Sequence, residues 1–404
     1  MDIQWIDKKK SMSKNFSCGI DIGTDRVKVL VAEHGDPSSD RVPHIISCGS
    51  AESAGVRQGY IHDPEACGEA LRAAIHSLSG SANIKIRRAI VGAGGIGLSS
   101  VIAVGSSSIS RADGEITEID INNAIYTSKT AIPQSSLQNR KIIYQTPLQF
   151  KVDGKIVPAS PIRLNGSKLE AKTFFTTCMS QHIENLIETV ESAGVTVEEI
   201  VASPIAASAV ILTKPQRAAG VVLANIGSET VSIIVFENGL PTSIEVFPVG
   251  SGNVTNDIAL GLRIPLEEAE SVKRGAITGA NFAQKKLDEI IAARLTDIFE
   301  LIESHLKKIG RSGLLPAGIV LTGGGSSIST IDDLAKASLR LPARIANAIT
   351  GPDGKKQIKD AVWSVAYGLA AEGLLRGSRE SFFGTETARR ARHTIADFFK
   401  QFLP

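Results

Sequence analysis

The sequence predicts an α/β protein of two related lobes that face each other across a cleft. Three observations lead there. Residues 20–31 (IDIGTDRVKVLV) and 224–235 (ANIGSETVSIIV) are an internal repeat. A third glycine turn closes the buried run AGIVLTGGG at 317–325, ahead of a helix expected from about Ser329. Between these landmarks, strand-like and helix-like periodicities alternate, as in α/β architecture.

Within the repeat, Ile22, Gly23, Thr24, Asp25, Val27, Leu30 and Val31 align with Ile226, Gly227, Ser228, Glu229, Val231, Ile234 and Val235. Each copy is an apolar strand, a turn of small and polar residues, then a second apolar strand, which is a hairpin pattern. A glycine lets backbone approach a ligand closely, and hydroxyls with free N–H groups hold phosphate oxygens. One such turn from each lobe would grip a phosphate chain from both sides. The third turn, Gly323-Gly324-Gly325, sits at a strand end, where open α/β sheets bind ligands.

The remaining elements follow in order. A helix is expected over 63–79, with Asp63 as N-cap before Pro64. Others are expected over 181–193, closing at Gly194, and over 285–309, closing at Gly310. Residues 361–375 (AVWSVAYGLAAEGLL) form a small-residue helix suited to close packing.

The 404 residues are 43% hydrophobic and 21% charged, which suits several compact units with cores of their own. A net charge of +2 and few aromatics argue against nucleic acid as a partner. Cys18, Cys48, Cys67 and Cys178 form no CxxC pair and read as buried small hydrophobes in a reduced cytosolic compartment. Residues 1–15 carry no signal-peptide core. No apolar run reaches the roughly 18–20 residues of a spanning helix.

Taken together, the paired hairpins, the glycine turn and the small-residue helix resemble the actin, Hsp70 and sugar-kinase superfamily. Within it, CGIDIGTDRVKVLVAE, SAGVRQGYIHDPEACGEAL, AGIVLTGGGSSI and the C-terminal tail are similar to the FtsA family, from about Phe16 to Pro404. The resemblance implies an actin-like (ribonuclease H-like) two-lobed fold. After a flexible arm at 1–15 come subdomains 1A (16–87 and 165–215), 1C (88–164), 2A (216–260 and 317–375) and 2B (261–316). A linker (376–387) and an amphipathic membrane helix (388–404) complete it.

The resemblance also implies ATP or ADP as ligand, with Mg²⁺. Gly23 and Thr24 would hold phosphate in the first loop, Asn225, Gly227, Ser228 and Thr230 in the second. Asp21 would hold Mg²⁺ through water. Glu270 and Lys273, at i and i+3, match the family's ribose and adenine contacts, although helix spacing alone reads as a solvated ion pair. The second loop departs from the family's D-I-G-G-G-T: Asn225 replaces an aspartate, and Ser228 and Glu229 replace glycines. Slow or absent hydrolysis is therefore expected, because phosphoryl transfer depends on positioning and charge neutralisation.

In the tail, Ile395, Phe398, Phe399, Phe402 and Leu403 fall on one helical stripe, with Arg389, Arg390, Arg392 and Lys400 around it. Such a segment is built to lie in a membrane interface. By resemblance, the protein would polymerise at the division site on the cytoplasmic face of the cell (inner) membrane. It would bind the C-terminal peptide of FtsZ through subdomain 2B, near Arg274 and 285–309, and later division proteins through 1C. The alternatives are a PilM-like pilus-assembly protein and a sugar or acetate kinase. The kinase lacks a convincing catalytic acid or base.

Overall fold

The computed structural model describes residues 16–34, 43–78, 85–276, 283–346 and 361–382, with side chains up to 375. The expected arm at 1–15 and the expected tail helix at 388–404 lie outside the described residues.

The chain begins with β1 (Phe16–Ile22), β2 (Arg26–Glu33), β3 (His44–Glu52) and a short ribbon, β4 (Val56–Arg57) and β5 (Tyr60–Ile61). Helix α1 (Pro64–His76) leads to β6 (Arg88–Ala93) and the long β7 (Ser99–Ser108). Then come α2 (Glu118–Thr130), α3 (Gln134–Leu137), β8 (Arg140–Val152), β9 (Lys155–Val157) and β10 (Lys168–Met179). The first half ends with α4 (Ser180–Ser192), β11 (Thr196–Ala202), α5 (Ser203–Ile211) and α6 (Lys214–Ala219). The second half holds β12 (Val221–Ile226), β13 (Val231–Glu237), β14 (Leu240–Phe247), α7 (Ser251–Leu262), α8 (Leu266–Lys273) and α9 (Gln284–Lys308). It continues through β15 (Ile319–Thr322), α10 (Ile331–Leu339), β16 (Ala343–Ile345) and α11 (Ser364–Phe382).

Two sheets of five strands have the same topology. The first runs β3-β2-β1-β6-β11 and the second β14-β13-β12-β15-β16. In each, three antiparallel strands join two parallel ones. The repeat marks the matching hairpins, β1–β2 and β12–β13. Both close at the same place, Ile22 opposite Val27 and Ile226 opposite Val231.

Apolar runs rather than alternation are what a sheet covered on both faces requires. In β12 and β13, Val222, Ala224, Val231, Ile233 and Val235 face the core under α9, while Val221, Leu223, Ile234 and Phe236 face the other lobe. One core therefore runs through both lobes and holds residues as distant in sequence as Ile20 and Val320.

Helices end where local chemistry dictates. The Asp63 side chain accepts the Ala66 N–H at 3.1 Å and starts α1 as expected. Gly194 and Gly310 follow α4 and α9 in left-handed conformations, φ 80° and 70°.

Three expectations are corrected. The strand at 168–178 belongs to the inserted unit rather than to subdomain 1A: β10 pairs antiparallel with β7 and β8 along its length, in a sheet ordered β7-β10-β8-β9. Residues 88–93 in turn pair with β1 and β11 in the first-lobe sheet, so the expected 88–164 insert begins too early and ends too soon. Finally, α11 does not complete the second lobe. It packs on β1, β2, β6 and α5, and its helix runs on through 376–382, where a linker was expected. Arg and Glu are good helix formers, so that polar stretch does not stop the helix.

The inserted unit is braced in two ways. Ile244 of β14 donates its N–H to Ser100 Oγ at 2.8 Å, which ties the insert to the second lobe. Asp120, fully buried, accepts hydrogen bonds from the N–H and hydroxyl of Thr117 and from the Ser110 N–H, at 2.7–2.9 Å. Burial alone would raise its carboxyl, but these donors outweigh it and hold it at about 2.

A folded-state value below the unfolded value of about 3.9 stabilises the fold above pH ~4. That contribution is lost as pH falls through about 2. Asp120→Ala leaves those donors unpaired, and thermal melts at pH 7 should show the insert destabilised by about 1–3 kcal/mol.

Three cysteines are buried and Cys48 is half-buried. Burial pushes the thiol of Cys18 up to about 12 and those of Cys67 and Cys178 to about 11, so they serve as core residues.

Candidate functional site at the cleft between the lobes

The two repeat turns have the same internal geometry. Gly23 donates its N–H to the Arg26 carbonyl at 3.1 Å, and Gly227 donates to the Thr230 carbonyl at 2.8 Å. They meet at a third turn that the sequence reading did not single out. The β4–β5 ribbon closes through Gln58 and Gly59, both with positive φ, 50° and 75°. The Gly59 N–H donates to Thr24 Oγ1 at 3.3 Å, and the Gln58 N–H donates to Glu229 Oε2 at 2.6 Å. Adjacent amides thus touch a loop of each lobe. The available signal was Gln58-Gly59, a glycine-containing pair between Val56-Arg57 and Tyr60-Ile61, at the place of a two-residue hairpin turn.

The second loop is held from behind by the start of α7. Ser251 and Gly252 donate their N–H groups to the carbonyls of Gly227 and Ser228, each at 2.8 Å. Ser228 and Thr230 are half-buried at the turn.

The glycine turn divides its labour. Gly323 has φ 86°, and a Cβ there would overlap Asn225 Oδ1. A Cβ on Gly325 would overlap Ile226. Packing against β12 therefore explains both. Gly324 is exposed, and a Cβ there meets only Val362 Cγ1, at 3.9 Å. The open middle position is where a flat ligand can lie on the backbone. On the nucleotide reading that the family resemblance implies, Gly324→Leu should leave the melting midpoint within about 2 °C and weaken ADP binding about tenfold or more in calorimetry, a cost of ~1.4 kcal/mol.

Glu270 and Lys273 form an ion pair at 2.6 Å, but not a solvated one: the lysine side chain is only 7% exposed. Lys273 Nζ donates to Thr255 Oγ1 at 2.8 Å and to the Ser251 carbonyl at 3.2 Å. The Thr255 hydroxyl donates to Glu270 Oε2 at 2.6 Å, and Arg274 Nε to Glu270 Oε1 at 2.8 Å. Burial would raise the Glu270 carboxyl, yet the bonds from Lys273 and Thr255 prevail and lower it. The pair fastens α8 to the same end of α7 that holds the second phosphate-type loop.

Asp21 faces Lys28 across the first hairpin, 3.4 Å apart, both largely buried. Among the described residues no cluster of three or more acids, histidines or cysteines is placed to chelate a metal. Asp21 offers a single carboxylate, already paired with Lys28, so Mg²⁺ there would be held chiefly by its own waters and by phosphates. Asn225 supplies no second carboxylate.

Comparison with known proteins agrees with this architecture. The sequence model of cell division protein FtsA matches residues 222–368, and that of the SHS2 domain inserted in FtsA matches 95–177, the unit containing β7 to β10. The FtsA of Bacillus subtilis is 31% identical over 350 residues, covering 81% of this chain and 78% of the relative. That of Pseudomonas aeruginosa is 27% identical over 382 residues, 89% of each.

Among solved structures, the PilM–PilN type IV pilus biogenesis complex has a similar fold, TM-score 0.66, at 17% identity over 89% of this chain and 98% of that one. MreB 5 of Spiroplasma citri bound to AMPPNP gives a TM-score of 0.50 at 15% identity, over 91% and 99%. The fold is actin-like, its insert is the one found in FtsA, and by the extent of its likeness to the curated relatives the chain belongs to the FtsA family of cell-division proteins.

Proposed function

We propose that this protein is a nucleotide-binding adaptor of the division site, which lies on the cytoplasmic face of the cell membrane and holds FtsZ filaments there. The observation that carries the nucleotide part is the meeting of Thr24 and Glu229, one from each repeat, at the neighbouring amides of Gln58 and Gly59. ATP or ADP would lie with its phosphates between Gly23-Thr24 and Gly227–Thr230 and its base over Gly324. Asp21 would orient a water of Mg²⁺. Hydrolysis would be slow or absent, because uncharged Asn225 stands where a second carboxylate would help to organise the metal and its waters.

The membrane part rests on the basic and apolar pattern of 388–404. FtsZ would engage the second lobe along α9. The contact would lie on the open surface lined by Pro248, Val249, Asn253, Arg294, Asp297, Glu300 and Leu301. The inserted unit would take later division proteins and, with the lobes, contacts between copies in a filament.

The test is co-sedimentation of FtsZ with anionic vesicles. FtsZ should pellet only when this protein is present, and a competing FtsZ C-terminal peptide should release it. FtsZ remaining in the supernatant under all conditions overturns the adaptor reading. The fold shared with the PilM–PilN type IV pilus biogenesis complex leaves a second reading, a PilM-like part in pilus assembly with a PilN-type partner. Binding of a PilN-type peptide but not the FtsZ peptide would select it.

A further inference from the structure

Of the residues around the cleft, Glu229 is the one whose chemistry opposes the ligand expected there. It replaces a position where a small residue would leave room, and it brings a negative charge to the turn. Its carboxylate crosses between the lobes and takes the Gln58 N–H at 2.6 Å. The next amide, of Gly59, goes to Thr24 in the first loop. Amides of tight turns are the groups that hold phosphoryl oxygens, and a carboxylate oxygen is an acceptor of the same sign. The side chain is half-buried, so solvent does not fully screen it.

Three neighbouring features make this a built contact rather than a wandering side chain. The second loop is pinned by the Ser251 and Gly252 amides. The ribbon tip is fixed by its turn, with Gly59 packed against Gly95. Asn185 Nδ2 donates to the Ile61 carbonyl at 2.9 Å, which secures the end of the ribbon.

We infer that Glu229 stands in for a terminal phosphate: it latches the two lobes through Gln58 and makes the cleft selective for a nucleoside diphosphate over a triphosphate. A diphosphate leaves the latch in place. A triphosphate must displace the carboxylate from the amide or share the space with it, against like-charge repulsion. The inference rests on the nucleotide-binding reading of the cleft and adds its selectivity.

The experiment compares the full chain, Glu229→Gln and Glu229→Ala. ADP and ATP are titrated calorimetrically in magnesium buffer, and amide exchange at Gln58 is followed without nucleotide. The unaltered protein should bind ADP about tenfold or more tighter than ATP. Glu229→Gln keeps the size and an acceptor but removes the charge, so the preference should fall to about threefold or less while Gln58 stays protected. Glu229→Ala should lose both the preference and the protection, with Gln58 exchanging about tenfold faster or more.

An ADP-to-ATP ratio unchanged in Glu229→Gln overturns the latch and leaves the nucleotide reading standing. A preference for ATP in the unaltered protein does the same. Absence of binding by either nucleotide to all three proteins overturns the nucleotide reading and the selectivity with it.

Discussion

Deletion of residues 383–404 is expected to abolish co-sedimentation with anionic vesicles while leaving the melting midpoint unchanged. Burying Ile395, Phe398, Phe399, Phe402 and Leu403 in a bilayer interface contributes roughly 5–10 kcal/mol before ordering costs. Arg389, Arg390, Arg392 and Lys400 add about 1 kcal/mol each at most near anionic lipid. Asp397 is the one acid among them. Among the described residues, no helix is long and apolar enough to cross a membrane. The cut belongs after Phe382, because α11 extends that far and an earlier cut would remove its last turns. Phe399→Glu should weaken binding in the same assay by about a hundredfold, since the proposed interfacial helix would have to bury a charge in place of a ring. Vesicle binding retained by the deleted protein would show that the anchor lies elsewhere.

The second large effect is on stability. Gly368→Val should lower the melting midpoint by about 3–4 °C, from a cost of ~3 kcal/mol. Gly368 lies in α11, where it crosses α5, and a Cβ there would overlap the carbonyl and backbone carbon of Ala206. Backbone on the far side cannot turn away as a side-chain tip can. The joint is central. α11 packs on the first-lobe sheet, and the turn just before it is tied to the second lobe, where Thr322 Oγ1 donates to the Ala361 carbonyl at 3.1 Å. Pushing α11 off α5 therefore disturbs both lobes at once. A valine variant that melts with the unaltered protein would mean that the joint yields freely.

The fold and the site were unequally legible in the sequence. Both hairpins, the glycine turn and the helices at α1, α4 and α9 were readable because their signals are local: repeat, cap, apolar stripe and terminating glycine. Pairing partners are not local. The apolar strand at 168–178 reads the same whether it joins β6 or β7, and only the extended antiparallel register settles it. The small-residue character of α11 announced close packing but not against which lobe. The ribbon tip at Gln58-Gly59 acquires its place only when the lobes close around it. For Lys273, i+3 spacing to Glu270 suggested solvent exposure, and tertiary contact with α7 reversed that.

The measurement that bears most directly on the two-lobed nucleotide cleft is amide exchange of the full chain with and without ADP and Mg²⁺. The account predicts protection that rises together at residues 22–25, 226–230 and 323–325, one segment from the first lobe and two from the second. Protection confined to one lobe, or to none of these turns while ADP is bound, would contradict it.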